Sequence, residues 1–177
     1  MKHEIVIAGF GGQGVMALGK LLAYAGMMEG KEVSWMPSYG PEMRGGTANC
    51  VVIVSDDRIA SPLSDTPDAA VVMNLPSLDK FAPMVKEDGL LMINSSLIDK
   101  ESDRNDLETL KVPCNEIANE IGSGKIANMV AIGALVKKTG ILPLETIVEA
   151  MKKVFAGKEK FFPMNEEAIR KGAELVD

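Results

Sequence analysis

Apolar residues follow two rhythms along this chain, and each change of rhythm marks an element. His3–Ala8 (HEIVIA) is a short run rich in β-branched residues, the mark of a buried strand. Beyond the glycines of 9–14 the period lengthens. Val15, Leu18, Leu22 and Ala25 fall at i, i+3, i+7 and i+10, which predicts a helix from Val15 to about Met28. Gly30 stands in the stop position. Glu32–Met36 (EVSWM) reads as a second strand. Strand, glycine loop, helix and strand make a βαβ unit, so a parallel sheet with a right-handed crossover is expected.

Pro37–Gly46 (PSYGPEMRGG) interrupts the pattern with two prolines and three glycines, an irregular exposed loop. Thr47–Ser55 (TANCVVIVS) is strand-like again. No helix separates it from the second strand, so an antiparallel or edge arrangement would make the sheet mixed. Ala69–Asn74 (AAVVMN) and Gly89–Asn94 (GLLMIN) are buried strands flanking a helix over Pro76–Val85. Asp99–Asp106 is a polar surface loop, and Leu110–Cys114 a last short strand. The remainder is helical: Glu116–Ile121, Ala127–Lys138 stopped by Gly140, Leu144–Phe155 opened by Pro143, and a final helix with Asn165 as its N-cap. The expected fold is a three-layer α/β/α, Rossmann-like domain with a mostly parallel or mixed sheet. It is read as a single domain over residues 1–177, with the sheet core in 1–115 and C-terminal helices in 116–177.

Composition narrows the classes. The 177 residues are 46% hydrophobic, enough for a substantial core, but only 5% aromatic with 12 methionines, so Ala, Val, Ile, Leu and Met must build it. A net charge of −6 without a basic stripe argues against nucleic-acid binding. No apolar run approaches the ~18 residues of a membrane span. Met-Lys-His leading into a strand does not read as a signal peptide, so a reducing cytoplasm is expected. Two cysteines, Cys50 and Cys114, cannot supply a four-thiolate cluster or a structural zinc. Cys50 reads as a packed thiol in its strand and Cys114 as a thiol near a strand end, open to exposure. His3 is the single histidine and stands too near the N-terminus for a base, so no Ser–His or Cys–His relay is expected. Met27, Met28, Met36 and Met43 read as filler around the two loops, or as a soft interface. No residue is assigned a catalytic or metal-ligating role.

Two segments carry candidate chemistry. Gly9-Phe10-Gly11-Gly12-Gln13-Gly14 satisfies GxGxxG, directly after a strand and opening a helix. Such a loop lets backbone approach an anion and turns N–H groups of the helix start towards it. The alternative is that these glycines only allow helix and strand to pack closely. An NAD site expects an acid near the end of the second strand, about 20 residues on. Here Glu32 begins that strand, so NAD is disfavoured. The second segment, Ser38-Tyr39-Gly40-Pro41-Glu42-Met43-Arg44-Gly45-Gly46, should emerge at the carboxyl edge of the sheet, where open α/β sheets bind ligands. Arg44 beside Gly45 and Gly46 could offer a guanidinium fork and open backbone donors to a phosphate or carboxylate, or pair with Glu42 in a surface turn.

In this order the motifs GFGGQGV and SYGPEMRGG running into TANCVVIVS resemble the gamma subunit of 2-oxoacid:ferredoxin oxidoreductases. Ser61-Pro62, Asp68–Asn74 and Gly89–Ser95 fit as well, and the likeness covers nearly the whole chain. GFGGQG is closer to the 2-oxoglutarate and branched-chain members than to the pyruvate ones. The resemblance implies oxidative decarboxylation of a 2-oxoacid with coenzyme A to acyl-CoA and CO2, reducing ferredoxin. It implies thiamine diphosphate between alpha and beta subunits, iron–sulfur clusters on a ferredoxin-like subunit, and no cofactor bound by this chain alone. Gly9, Gly11, Gly12, Gln13, Gly14, Ser38, Tyr39, Arg44, Gly45 and Gly46 are then candidate coenzyme A, substrate or interface positions. A chain of this kind should self-associate when isolated. A stand-alone nucleotide-binding domain and a non-catalytic interaction module are the other readings.

Overall fold

A computed structural model of the protein describes residues 1–38 and 47–177. Six strands form one sheet: β1 (Lys2–Phe10), β2 (Glu32–Ser38), β3 (Thr47–Ser55), β4 (Ala69–Val72), β5 (Leu90–Asn94) and β6 (Glu108–Val112), in the order β2-β3-β1-β4-β5-β6. β1, β4, β5 and β6 are paired parallel, whereas β3 runs antiparallel to both β1 and β2. The sheet is therefore mixed. β1 and β2 share a direction, but β3 lies between them, because the chain returns from β2 without a helix and pairs at once with its predecessor.

Side chains alternate across the sheet, as the two-residue period of a strand requires. Ile5 and Ile7 of β1, Cys50, Val52 and Val54 of β3, Val71 of β4 and Met92 of β5 face one side. There they meet α1 (Val15–Met28), α3 (Cys114–Ile121), α4 (Ala127–Thr139), α5 (Leu144–Val154) and α6 (Phe162–Glu174). Val6 and Ala8, Ala70 and Val72, Leu91 and Ile93 face the other side, where α2 (Leu75–Phe81) and a 3-10 turn at Ala82–Met84 complete a smaller core. The outcome is three layers of unequal weight. In the heavy layer α4 is buried from Ala127 to Val136. It meets α6 so closely that a Cβ on Gly133 would strike the Ile169 carbonyl, and one on Gly172 the Val130 carbonyl.

Some sequence expectations shift. β6 begins at Glu108 and ends at Val112, so Cys114 opens α3 instead of closing a strand. That thiol is buried, not exposed. Asn165 is not a cap: Pro163 sits in the first turn of a helix that starts at Phe162, and Asn165 lies inside it, 8% exposed. Met27 and Met28 close α1, whereas Met36 lies in β2, so they do not gather at one place, and all three are exposed. Met43 lies outside the described residues. Among the described residues no helix is long and apolar enough to cross a membrane.

Candidate functional site

The register places the glycine turn and the two residues that flank the stretch 39–46 at one rim. Gly9 lies opposite Ala48 and Phe10 opposite Thr47, while Ser38 lies opposite Asn49. The chain thus leaves β2 at exposed Ser38 and re-enters the sheet at Thr47, beside the glycine turn. Tyr39, Arg44, Gly45 and Gly46 lie outside the described residues. Glu32 is opposite Ser55, at the far rim, where it cannot serve a ribose at the carboxyl edge.

From the adjacent parallel strands β1 and β4 the chain departs to opposite faces, into α1 and α2. Such a switch point opens a crevice outside the carboxyl ends of the strands. The glycine turn sits over it. Gln13 N–H donates to the Phe10 carbonyl at 3.2 Å. The Gln13 side chain then grips both strands: its Oε1 accepts the Phe10 N–H at 2.6 Å, and its Nε2 donates to the Met73 carbonyl at 3.1 Å. Gly12 and Gly14 hold φ of 92° and 75°, left-handed values that cost an L-residue about 1–2 kcal/mol. Gly14 is also the N-cap of α1, and with no side chain it caps nothing; the first turn carries no acid. The N–H groups of Gly11, Gly12 and Gly14 donate to no described residue. An uncapped helix start with free donors is attractive to an anion.

Polar side chains that the sequence did not single out lock this turn in place. Asn128, in the first turn of α4 and 7% exposed, donates to the Gly14 carbonyl at 3.2 Å, and its amide fills the space a Gly14 side chain would need. Asn94, at the end of β5 and 1% exposed, accepts the N–H groups of Ser96 and Cys114 and donates to Asn115 Oδ1 at 2.8 Å and to the Met73 carbonyl at 3.4 Å. Asn74 caps α2 by accepting the Ser77 N–H at 3.0 Å; its Nδ2 has no partner among the described residues. One signal was visible beforehand: both AAVVMN and GLLMIN are apolar strand runs that end in Asn.

The turn divides two clefts. One, of about 310 Å³, is mainly apolar and lies along Phe10, Val15, Met16 and Ala48. The other, of about 170 Å³, is lined by Gly12, Gln13, Met73, Asn115 and Lys125 with the adjoining Gly124 turn. No carboxylate among the described residues lines either. Neither thiol is available for chemistry at this rim: burial pushes Cys50 and Cys114 up to about 12. Among the described residues no three His, Cys, Asp or Glu side chains gather to hold a metal ion.

The opposite rim is built from charge. A cleft of about 260 Å³ there is lined by His3, Asp68, Lys86, Glu108 and Lys138 among others. Lys86 pairs with Asp68, Lys138 with Glu108, and Lys2 with Glu4. Desolvation lowers the His3 pKa, opposed by the nearby Asp68 charge.

Comparison with known proteins places this geometry. Residues 4–175 match the family model for pyruvate ferredoxin/flavodoxin oxidoreductase. The ketoisovalerate oxidoreductase subunit VorA of Methanothermobacter marburgensis is 42% identical over 173 residues, covering 97% of this chain and 36% of its own length. This chain thus spans about a third of such relatives. The gamma subunit of a keto/oxoacid ferredoxin oxidoreductase from Geobacter sulfurreducens superposes with a TM-score of 0.85 at 32% identity, over 97% of this chain and 96% of that one. A 2-oxoglutarate:ferredoxin oxidoreductase from Magnetococcus marinus, solved with 2-oxoglutarate, coenzyme A and succinyl-CoA, superposes with a TM-score of 0.89 at 27% identity, over 99% of this chain and 32% of that one. A match over nearly its whole length and a shared fold show that the chain belongs to the pyruvate ferredoxin/flavodoxin oxidoreductase family.

Proposed function

We propose that the chain is the gamma-type component of a 2-oxoacid:ferredoxin oxidoreductase and that its carboxyl rim holds an anionic group of coenzyme A. The observation that carries this reading is the braced glycine turn: Gln13 and Asn128 fix its shape, while the N–H groups of Gly11, Gly12 and Gly14 donate to no described residue at a helix start without a side-chain cap. Preorganised backbone donors suit a phosphate, and the neighbouring apolar cleft suits a less polar part of the same ligand. Arg44, with Tyr39, Gly45 and Gly46, belongs to this proposal by its place in the sequence, between Ser38 and Thr47.

The redox chemistry falls to partner chains. An iron–sulfur cluster needs four thiolates. The two cysteines here are buried and held protonated, so this chain does not fit one. Thiamine diphosphate on alpha and beta partners would supply the electron sink for decarboxylation, and a ferredoxin-like partner the route to ferredoxin. This chain's residues bind and orient; they transfer no proton or electron.

The test is a complex reconstituted with its alpha, beta and ferredoxin-like partners. Arg44→Ala should raise the coenzyme A KM about tenfold with little change in kcat, the signature of lost ground-state binding. An unchanged KM removes Arg44 from the site, and full activity without this chain removes the chain from the enzyme.

A further inference from the structure

We propose that the 170 Å³ cleft between the glycine turn, the end of β4 and the corner of α3 and α4 is a separate anion subsite, built for one phosphate or carboxylate group, with Lys125 and Asn115 as its side-chain donors. It deepens the coenzyme A reading by placing a second contact on the other side of the turn from the cleft that Ala48 lines.

The argument rests on which hydrogen-bonding groups of the wall are already occupied. Backbone N–H groups can only donate, so those of Ser96 and Cys114 fix Asn94 Oδ1 towards themselves. Asn94 Nδ2 must then point the other way, to the Met73 carbonyl and Asn115 Oδ1. That in turn sets the Asn115 amide, because the reverse orientation would bring two NH2 groups together. The Met73 carbonyl accepts twice, from Gln13 and Asn94. Gln13 uses its oxygen on Phe10 and its nitrogen on Met73. Every side-chain acceptor on this wall thus has its donor. Among side chains what remains is one-sided, Asn115 Nδ2 and Lys125 Nζ, and beside them stands the Gly12 N–H; none of the three donates to a described residue.

Lys125 is the second element of the cleft. Its own N–H is fixed by Ser123 Oγ at 3.2 Å in the 3-10 turn Gly124–Ile126, so its backbone is anchored at the cleft. It has no ion-pair partner among the described residues, whereas Lys2, Lys86 and Lys138, which line the cleft at the other rim, are each paired. Side-chain donors alone, with a cation and no carboxylate among the described residues, favour an acceptor-only ligand group. The volume is below the ~300 Å³ of a drug-sized site, so the cleft holds one group of a longer ligand, not a whole nucleotide.

The experiment titrates the full chain with inorganic pyrophosphate and with coenzyme A by calorimetry, for the unmodified protein, Lys125→Ala, Asn115→Asp and Arg44→Ala. Asn115→Asp keeps the oxygen that Asn94 needs and replaces the donor with a charged acceptor. The expected result is that Lys125→Ala weakens pyrophosphate about tenfold, the worth of one charge-assisted hydrogen bond. Asn115→Asp should weaken it more, and the melting temperatures of both variants should stay close to that of the parent. Unchanged pyrophosphate affinity in both variants, or no binding by the unmodified chain at millimolar concentration, overturns the subsite whatever Arg44→Ala does. Lys125-dependent pyrophosphate binding with an unchanged coenzyme A KM for both Lys125→Ala and Arg44→Ala in the reconstituted complex would leave the subsite standing and defeat the coenzyme A reading.

Discussion

The two rims of the sheet solve the same problem, how to finish parallel strands in water, with opposite chemistry. At the amino rim lysines and carboxylates answer one another: Lys86 with Asp68, Lys138 with Glu108, Lys2 with Glu4. At the carboxyl rim neutral amides answer backbone groups, through Gln13, Asn94 and Asn128, and Asn115 answers the Asn94 amide. Charge is plentiful at the first rim but already neutralised, so an incoming ion must displace a partner. At the second, among the described residues, the side-chain acceptors of Gln13, Asn94 and Asn115 are satisfied while Asn115 Nδ2, Lys125 Nζ and the Gly12 N–H have no partner. Formal charge alone is thus a poor guide to a binding site; the imbalance between open donors and open acceptors is a better one.

The contrast can be tested residue by residue. The largest effect should come from Gly14, set against Gly30, which is held at a similar positive φ. Gly14→Ala meets both a left-handed backbone and the Asn128 amide and should lose about 3 kcal/mol or more in urea denaturation. Gly30→Ala, at a similar φ of 72° but with open space around it, should lose only about 1 kcal/mol. Equal losses would mean that the carboxyl-rim brace is not rigid. Next come the bridges themselves. Gln13→Glu deletes the donor to the Met73 carbonyl at a half-buried position and should cost about 2 kcal/mol. Lys86→Met at the amino rim should cost less than ~1 kcal/mol, because its ion pair with Asp68 is solvent-screened.

The smallest effect concerns His3. Desolvation lowers its folded pKa below the 6.5 of an unperturbed imidazole, so the unfolded chain takes up the proton first. Stability is unaffected by His3 above that pKa and falls as pH drops through it towards the folded value. His3→Gln should flatten this part of the stability profile; an unchanged slope between pH 7 and 5 would show that His3 is not the group responsible. The charges facing it, Asp68, Lys86 and the N-terminus, remain in the variant.

Local rules were enough for much of this architecture. Val15–Met28 and Thr47–Ser55 can be read from glycine punctuation and period alone, and the structure keeps those limits. The glycine turn was legible for the same reason: its residues, its strand and its helix are neighbours in sequence. The insertion of β3 between β1 and β2 was not, because strand partners depend on long-range pairing that periodicity does not encode. β6 was misplaced because Glu108–Val112 (ETLKV) is an exposed edge with little apolar alternation. The amide brace was hidden for a different reason. Asn94, Asn115 and Asn128 come from three elements, and asparagine by type reads as a turn residue until burial shows that it must be satisfied.

The antiparallel course of β3 has a consequence for how such a chain can vary. Ser38 and Thr47 are pinned by ladder pairs to neighbouring strands, so the two anchor points of the intervening stretch are set by the sheet and not by that stretch. Doubling the length of a connecting segment adds only ~0.6 kcal/mol of closure entropy. The eight positions between these anchors can therefore be exchanged or lengthened as a cassette while the strands that bound them stay unchanged.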